Sequence, residues 1–225
     1  MAGAMTVLLK DAIMPTMLQT LEDSPVLVHC GPFANIAHGN NSIVADQIAL
    51  KLADYVITEC GFGADLGMEK FFNIKCRASG LIPNCVVLVA TVRALKMQGS
   101  VAKDDLGTPD VAALERGAVN LERHIQNLQK FGLTPVVAIN HFIKDSQEEL
   151  DALAAVCAKY GARVALAKHW AEGGKGAEEV ARTVVDIIDK GASNFRFVYE
   201  DDQSLWDKMK SVATKIYGAA DISAD

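Results

Sequence analysis

Three short apolar runs constrain this chain more than any other feature. They are Val86-Val87-Leu88-Val89-Ala90, Val136-Val137-Ala138-Ile139 and Val164-Ala165-Leu166-Ala167, and long helical patterns separate them. β-branched residues are stiff at χ1 and suit a pleated surface. A continuous apolar run of this length marks a strand covered on both faces. The segments Val111–Phe131 and Gln147–Tyr160 between them carry apolar residues at helical spacing. Strand–helix–strand alternation of this kind predicts an α/β protein with a mainly parallel sheet. Val26–His29, Tyr55–Thr58 and Phe195–Tyr199 read as further strands. Thr6–Leu21, Ile43–Ala53, Ala177–Lys190 and Ser204–Tyr217 read as further helices. Pro135 opens its strand, a position where the missing N–H is tolerated. Gly132 and Gly161 stand where glycine ends a helix, and Ser146 with Glu149 reads as a capping box. A boundary near Phe131-Gly132 divides the pattern into 1–131 and 132–225, and the small, acidic residues from Ala219 to Asp225 are expected to fray.

Two glycine-rich loops interrupt this pattern. The first runs from His29 to Ser42, His-Cys-Gly-Pro-Phe-Ala-Asn-Ile-Ala-His-Gly-Asn-Asn-Ser, between an apolar strand and the Ile43 helix. Ser42 is placed to cap that helix, whose first N–H groups and positive dipole end suit an anion. The second is Glu59-Cys60-Gly61-Phe62-Gly63-Ala64-Asp65-Leu66-Gly67, with glycines at 61, 63 and 67, a spacing unlike the dinucleotide GxGxxG. After parallel strands, both loops would open at the carboxyl edge, where α/β proteins bind ligands. His29 and His38 have no second ligand at metal spacing and read as loop residues, so no metal site is expected.

Composition narrows the function classes. The 22 Lys and Arg against 28 Asp and Glu leave a net charge of −6, and the basic residues are scattered, which argues against a nucleic-acid partner. Five cysteines form no CxxC pair and read as free thiols of a reducing compartment. No signal peptide and no bilayer-length apolar run is visible, so the expectation is a cytoplasmic protein without a membrane partner, or an organellar one if a targeting segment was lost. There is no GxxxxGK[ST]; Gly173-Gly174-Lys175-Gly176 has the wrong spacing and lacks the magnesium-binding hydroxyl.

The segments His29–Ser42 and Thr58–Arg77 resemble the signatures of the formate–tetrahydrofolate ligases, also called 10-formyltetrahydrofolate synthetases. The likeness continues through Val89–Met97, Val136–Asn140 and His169–Gly176 and covers nearly all 225 residues in order. It implies a ligase of one-carbon metabolism that phosphorylates formate with MgATP and passes the formyl group from formyl phosphate to N10 of tetrahydrofolate. It implies a fold similar to the P-loop NTPases: residues 1–131 would be the later part of the large nucleotide and formyl-phosphate domain, and 132–225 a smaller α/β domain with the folate-binding aromatics. Family chains are more than twice as long, and their phosphate loop precedes the segment seen here. The chain therefore reads as a truncated middle-to-later part, inactive alone, of an enzyme expected to be a homo-oligomer acting on small molecules. The alternative is a non-catalytic folate-binding or oligomerising paralogue.

The same resemblance implies site residues. Phe142 and Trp170 match the two aromatics that hold the pterin ring, and Leu166 matches an apolar wall of that pocket. Without the family, all three read as core. Phe62, Gly63 and Asp65 would hold formyl phosphate or the transferred carbonyl by oxyanion-type stabilisation, although Asp65 reads equally well as a helix cap. Arg93 and Lys96 would balance phosphate charge as catalytic cations, or else form a solvated salt bridge. Two residues depart from the pattern. Gln98 replaces a histidine, and an amide does not titrate. Ile143 replaces a proline, which implies a looser turn after Phe142.

Overall fold

The computed structural model describes residues 1–31, 38, 40–191 and 193–224. The chain divides into two units, Met1–Leu81 and Ile82–Asp225. This division falls well before Phe131-Gly132. The long helix that the sequence places ahead of a boundary packs instead on the sheet strands that follow it.

The first unit opens with α1, Ala2–Ala12, which buries none of its residues. The helix expected over Thr6–Leu21 stops there, because Pro15 biases Met14 away from helical backbone. The following residues form β1, Thr16–Gln19, which pairs antiparallel with β2, Pro25–Val28. The turn between them is closed by Thr20 and Ser24, with Asp23 at φ 64°. α2, Ile43–Leu52, begins at Ser42, whose hydroxyl accepts from the Ala45 N–H, as the sequence predicts. Tyr55–Thr58 joins no strand among the described residues. Two wide π-helical turns follow, Gly63–Met68 and Phe71–Cys76, and a last short turn, α3, Arg77–Ser79, ends at Gly80 with φ 71°. Met68 and Phe72 are buried, as is an ion pair between Lys75 and Asp46 at 2.5 Å. The glycine loops therefore do not rise from a parallel sheet: β2 belongs to a hairpin, and the residues directly before Glu59 form no strand. Pro32 to Ala37 and Gly39 of the first loop lie outside the described residues.

The second unit carries the expected α/β pattern. β3, Val86–Ala90, leads through α4, Val92–Gln98, and α5, Val111–Lys130, to β4, Pro135–Asn140. α6, Gln147–Lys159, leads to β5, Arg163–Ala167, and then come α7, His169–Glu172, and α8, Glu178–Asp189. The strands are parallel in the order β3-β4-β5, with Val86 opposite Pro135 and Val136 opposite Arg163. The sheet is thus α/β as predicted; the described strands do not extend it to the larger P-loop-like sheet that the resemblance implies. The central strand β4 is buried from Pro135 to Ile139. On one face Val137 and Ile139 pack with Leu114, Leu121 and Ile125 of α5 and Leu150 and Leu153 of α6. On the other face Val136 and Ala165 pack with Ile187 of α8. Alternation along β4 sends its side chains to the two helical layers in turn.

Glycine decides how α4 meets α5. A Cβ on Gly117 would lie 1.8 Å from the Leu95 carbonyl oxygen, and one on Gly99 would lie 1.9 Å from that of Ala113. The two helices touch backbone to backbone, which only glycine allows. Gly132 and Gly161 take φ 78° and 69° after α5 and α6, as helix-ending glycines do. The capping box of Ser146 and Glu149 is present.

The sixth expected strand, Phe195–Tyr199, is not in the sheet. Asn194 and Arg196 donate their N–H groups to the carbonyls of Gly132 and Phe131 instead. Phe195 stacks on Phe131, with ring centroids 6.3 Å apart. Aromatic residues that suited a strand by propensity here cover the end of α5. α9, Leu205–Ser211, and the π-helical turn Val212–Tyr217 complete the chain where one helix was expected.

Candidate functional site

The carboxyl ends of β3, β4 and β5 converge on one open cleft of about 470 Å³. β4 delivers His141 and Phe142, and Ile143 and Lys144 follow in the turn. β5 delivers Lys168, and Trp170 and Glu172 follow on α7. Arg93, on the first turn of α4, and the segment with Lys103, Asp104, Leu106 and Gly107 close the other side. The ends of neighbouring parallel strands point the same way, so residues far apart in sequence share one rim.

Phe142 and Trp170 are both in this rim. Trp170 is 83% exposed, far more than core packing would leave it, and Phe142 is half-buried. Arg93 lies over the Phe142 ring, its guanidinium carbon 5.5 Å from the centroid. That contact is of the cation–π kind and steadies the ring from one side. The turn after Phe142 is closed twice: the Phe142 N–H donates to the Asp145 carboxylate at 2.8 Å, and the Asp145 N–H donates to the Phe142 carbonyl at 2.9 Å. These two bonds close the turn that Ile143 occupies. Ile143 itself is 88% exposed on the rim. Four cations, Arg93, Lys103, Lys144 and Lys168, face two carboxylates, Asp104 and Glu172, so the cleft is net positive in a negatively charged chain.

Two sequence candidates lie elsewhere. Leu166 does not line the cleft; it packs half-buried against the core under α5 and α6. Lys96 is 1% exposed and points inward to Glu149, at 2.8 Å, and to the Thr108 carbonyl, at 2.9 Å. It is neither a rim cation nor a solvated ion pair. Burial alone would raise the Glu149 carboxyl, but hydrogen bonds from Lys96, Asp110 and Ser146 outweigh it and hold the group below its ordinary value. Gln98 is exposed at the end of α4.

The second glycine loop belongs to the other unit. Phe62 is 89% exposed and precedes the π-helical turn that contains Gly63 and Asp65. Gly63 has φ 73°, and a Cβ there would meet an Asp65 carboxylate oxygen at 3.0 Å. Asp65 stands in the first part of that turn. Gly67 packs its backbone against Cys60 and Gly61, where a Cβ would come within 2.4 Å of the Cys60 carbonyl oxygen. Burial, helped by the Glu59 charge, pushes the Cys60 thiol up, which disfavours a thiolate there. In the first loop His29 hydrogen-bonds Ser42 at 2.6 Å and the Ala12 carbonyl at 2.7 Å, so its ring ties the N-cap of α2 to the end of α1.

Among the described residues, no three His, Cys, Asp or Glu side chains gather as metal ligands. Gly173–Ala177 forms a 3₁₀ turn, and a Cβ on Gly176 would lie 2.4 Å from the Lys168 carbonyl carbon. That glycine serves close packing behind β5. All five cysteines are free, and no helix of the described residues is long and apolar enough to cross a membrane.

Sequence reasoning passed over His141, Lys168, Lys144, Lys103 and Glu172. The signal for the first two was present, since each follows directly on the last residue of a strand. Lys103 lies in a polar connection whose path the sequence does not fix.

A family model described as formate–tetrahydrofolate ligase matches residues 1–225. A formate–tetrahydrofolate ligase of Granulibacter bethesdensis is 57% identical over 224 residues, covering 100% of this chain and 39% of the relative. One of Methylococcus capsulatus is 59% identical over 224 residues, covering 99% and 40%, and one of Pelagibacter ubique is 56% identical over 223, again 99% and 40%. The chain spans about 40% of the length of the curated relatives it matches. With a full-length family match and this level of identity, the chain belongs to the formate–tetrahydrofolate ligase family.

Proposed function

We propose that this chain carries the tetrahydrofolate-binding part of an ATP-dependent formate–tetrahydrofolate ligase. In this reading the pterin ring lies between Phe142 and Trp170. The observation that carries it is the pair of rings on one cleft at the ends of adjacent parallel strands, one of them almost fully exposed. A flat heteroaromatic is the natural partner of two accessible aromatic faces. Arg93 braces the Phe142 ring and adds positive potential on the side where an anionic intermediate would approach. Lys96 acts at a distance, by holding loops in place. Phe62, Gly63 and Asp65 belong to the formyl-phosphate side of the reaction, whose products would be 10-formyltetrahydrofolate, ADP and phosphate. Phosphorylation of formate needs a nucleotide cradle, and this chain carries no GxxxxGK[ST] motif to supply one of that kind. The partners are small molecules, and the parent enzyme would be a cytoplasmic homo-oligomer.

Trp170 gives the direct test. Stacking of a base on an aromatic side chain is worth about 1–3 kcal/mol by alanine substitution. Trp170→Ala should therefore weaken tetrahydrofolate binding roughly tenfold or more by calorimetry. In the parent chain, the ligand should quench Trp170 emission and leave Trp206 unaffected. A parent that gives neither heat nor quenching, or an alanine variant that binds as the parent does, removes the pterin reading.

A folate-binding paralogue without catalysis is the second reading. On either reading, this chain supplied with ATP, formate, Mg²⁺ and tetrahydrofolate should release ADP only at background. Sustained, formate-dependent ADP release would show that its own residues handle the nucleotide.

A further inference from the structure

Glu149 does more than an ordinary capping-box glutamate. It is fully buried, and each carboxylate oxygen serves a different part of the chain. One oxygen accepts from Lys96 at 2.8 Å and from the Asp110 N–H at 2.9 Å. The other accepts from the Ser146 N–H at 3.0 Å. Asp110 is the N-cap of α5 and Ser146 the N-cap of α6. One side chain therefore ties together the starts of two helices, while Lys96 ties α4 to the Thr108 carbonyl.

Both N-caps end segments that line the cleft. Lys103 to Gly107 run into Asp110, and His141 to Lys144 run into Ser146. The two segments also touch, since a Cβ on Gly107 would meet the Lys144 side chain at 3.2 Å. The path to the aromatic is short: Ser146 follows Asp145, whose carboxylate and N–H both bond the Phe142 backbone. A capping box needs only the bond to Ser146. Burying a second, charged connection at a desolvation cost is unexplained by helix capping alone.

We propose that Glu149 is a positioning residue of the cleft: with Lys96 it locks the 103–108 and 141–145 segments to one another, so that Phe142 is held against the opposite wall. The consequence for ligand binding rests on the pterin reading above; the coupling of the two segments does not. Glu149→Gln keeps the shape but replaces one accepting oxygen by a donor, so that Lys96 and the two N–H groups can no longer all be served. Should that variant fold poorly, Lys96→Met with Glu149→Leu removes the bridge without orphaning a charge. Ser146→Ala is the control, because it removes the hydroxyl of the α6 cap and leaves the Glu149 bridge intact.

Backbone amide exchange in the full chain and calorimetric titration with tetrahydrofolate read the outcome. In the bridge variants, exchange should quicken about tenfold in both segments together, and folate affinity should fall by a similar factor. In Ser146→Ala, exchange should quicken only in the first turn of α6, with affinity within about twofold of the parent even at an equal loss of Tm. Unchanged exchange in the 103–108 segment of the bridge variants overturns the proposal. Unchanged affinity in Trp170→Ala overturns the pterin reading instead and leaves the exchange result standing.

Discussion

Lys96→Ala should destabilise the second unit by about 3–5 kcal/mol at neutral pH, the usual cost of removing one partner of a buried ion pair. Lys96 and Glu149 are 1% and 0% exposed, so no water takes over from the lost ammonium. The Thr108 carbonyl loses its donor as well. Folded domains are stable by only about 5–15 kcal/mol, so a loss of this size is plain in a urea titration. The pH dependence fixes the mechanism. Glu149 titrates below its ordinary 4.5 in the folded protein. A carboxyl lowered by folding stabilises above its unfolded value and loses that contribution as pH falls through the folded one. The gap between parent and Lys96→Ala should accordingly be full at neutral pH and close on acidification below 4.5. A gap that stays constant across that range would mean that the lost stability came from packing of the lysine stem and not from the ion pair.

Gly117→Ala should cost about 3 kcal/mol, although alanine is ordinarily the better helix former. Gly117 is buried in the middle of a 20-residue helix, where glycine by itself is unfavourable by about 1 kcal/mol. The added methyl would stand 1.8 Å from the Leu95 carbonyl oxygen and 2.7 Å from the Gly99 nitrogen. These are backbone atoms and cannot rotate away, so α4 must move off α5. Urea unfolding of Gly117→Ala, with exposed Glu115→Ala in the same helix as a reference, separates this effect from helix propensity. A Gly117→Ala variant as stable as the parent would show that α4 shifts freely.

The sequence made the second unit legible and the first one much less so. β3, β4 and β5 were readable because each is an apolar run too short for a helix and bounded by turn residues. α5 and α6 were readable from their apolar spacing and from Ser146, Gly132 and Gly161. Tyr55–Thr58 and Phe195–Tyr199 carry β-branched and aromatic residues but form no strand among the described residues, because strand propensity is mostly a statement about neighbours. Pro15 carried the signal that Thr6–Leu21 could not be one helix. At the cleft, Phe142 and Trp170 were singled out by the family resemblance, and their places just after β4 and β5 bring both to one rim. Leu166 and Lys96 could not be placed, because which way a side chain turns depends on the layer packed against it. Glu149 was visible as a cap, but its second role depends on Asp110, 39 residues away.

The order β3-β4-β5 means that each strand lies beside the one preceding it in the chain. Strands of this kind can be added one at a time, each on an existing edge of the sheet. The cleft, however, draws its walls from beyond all three strands. It comes into being only at the last addition, when β5 brings Trp170 to the rim that holds Phe142. A ligand held there is bound by the finished sheet alone, so its binding free energy stabilises the assembled unit and nothing that precedes it.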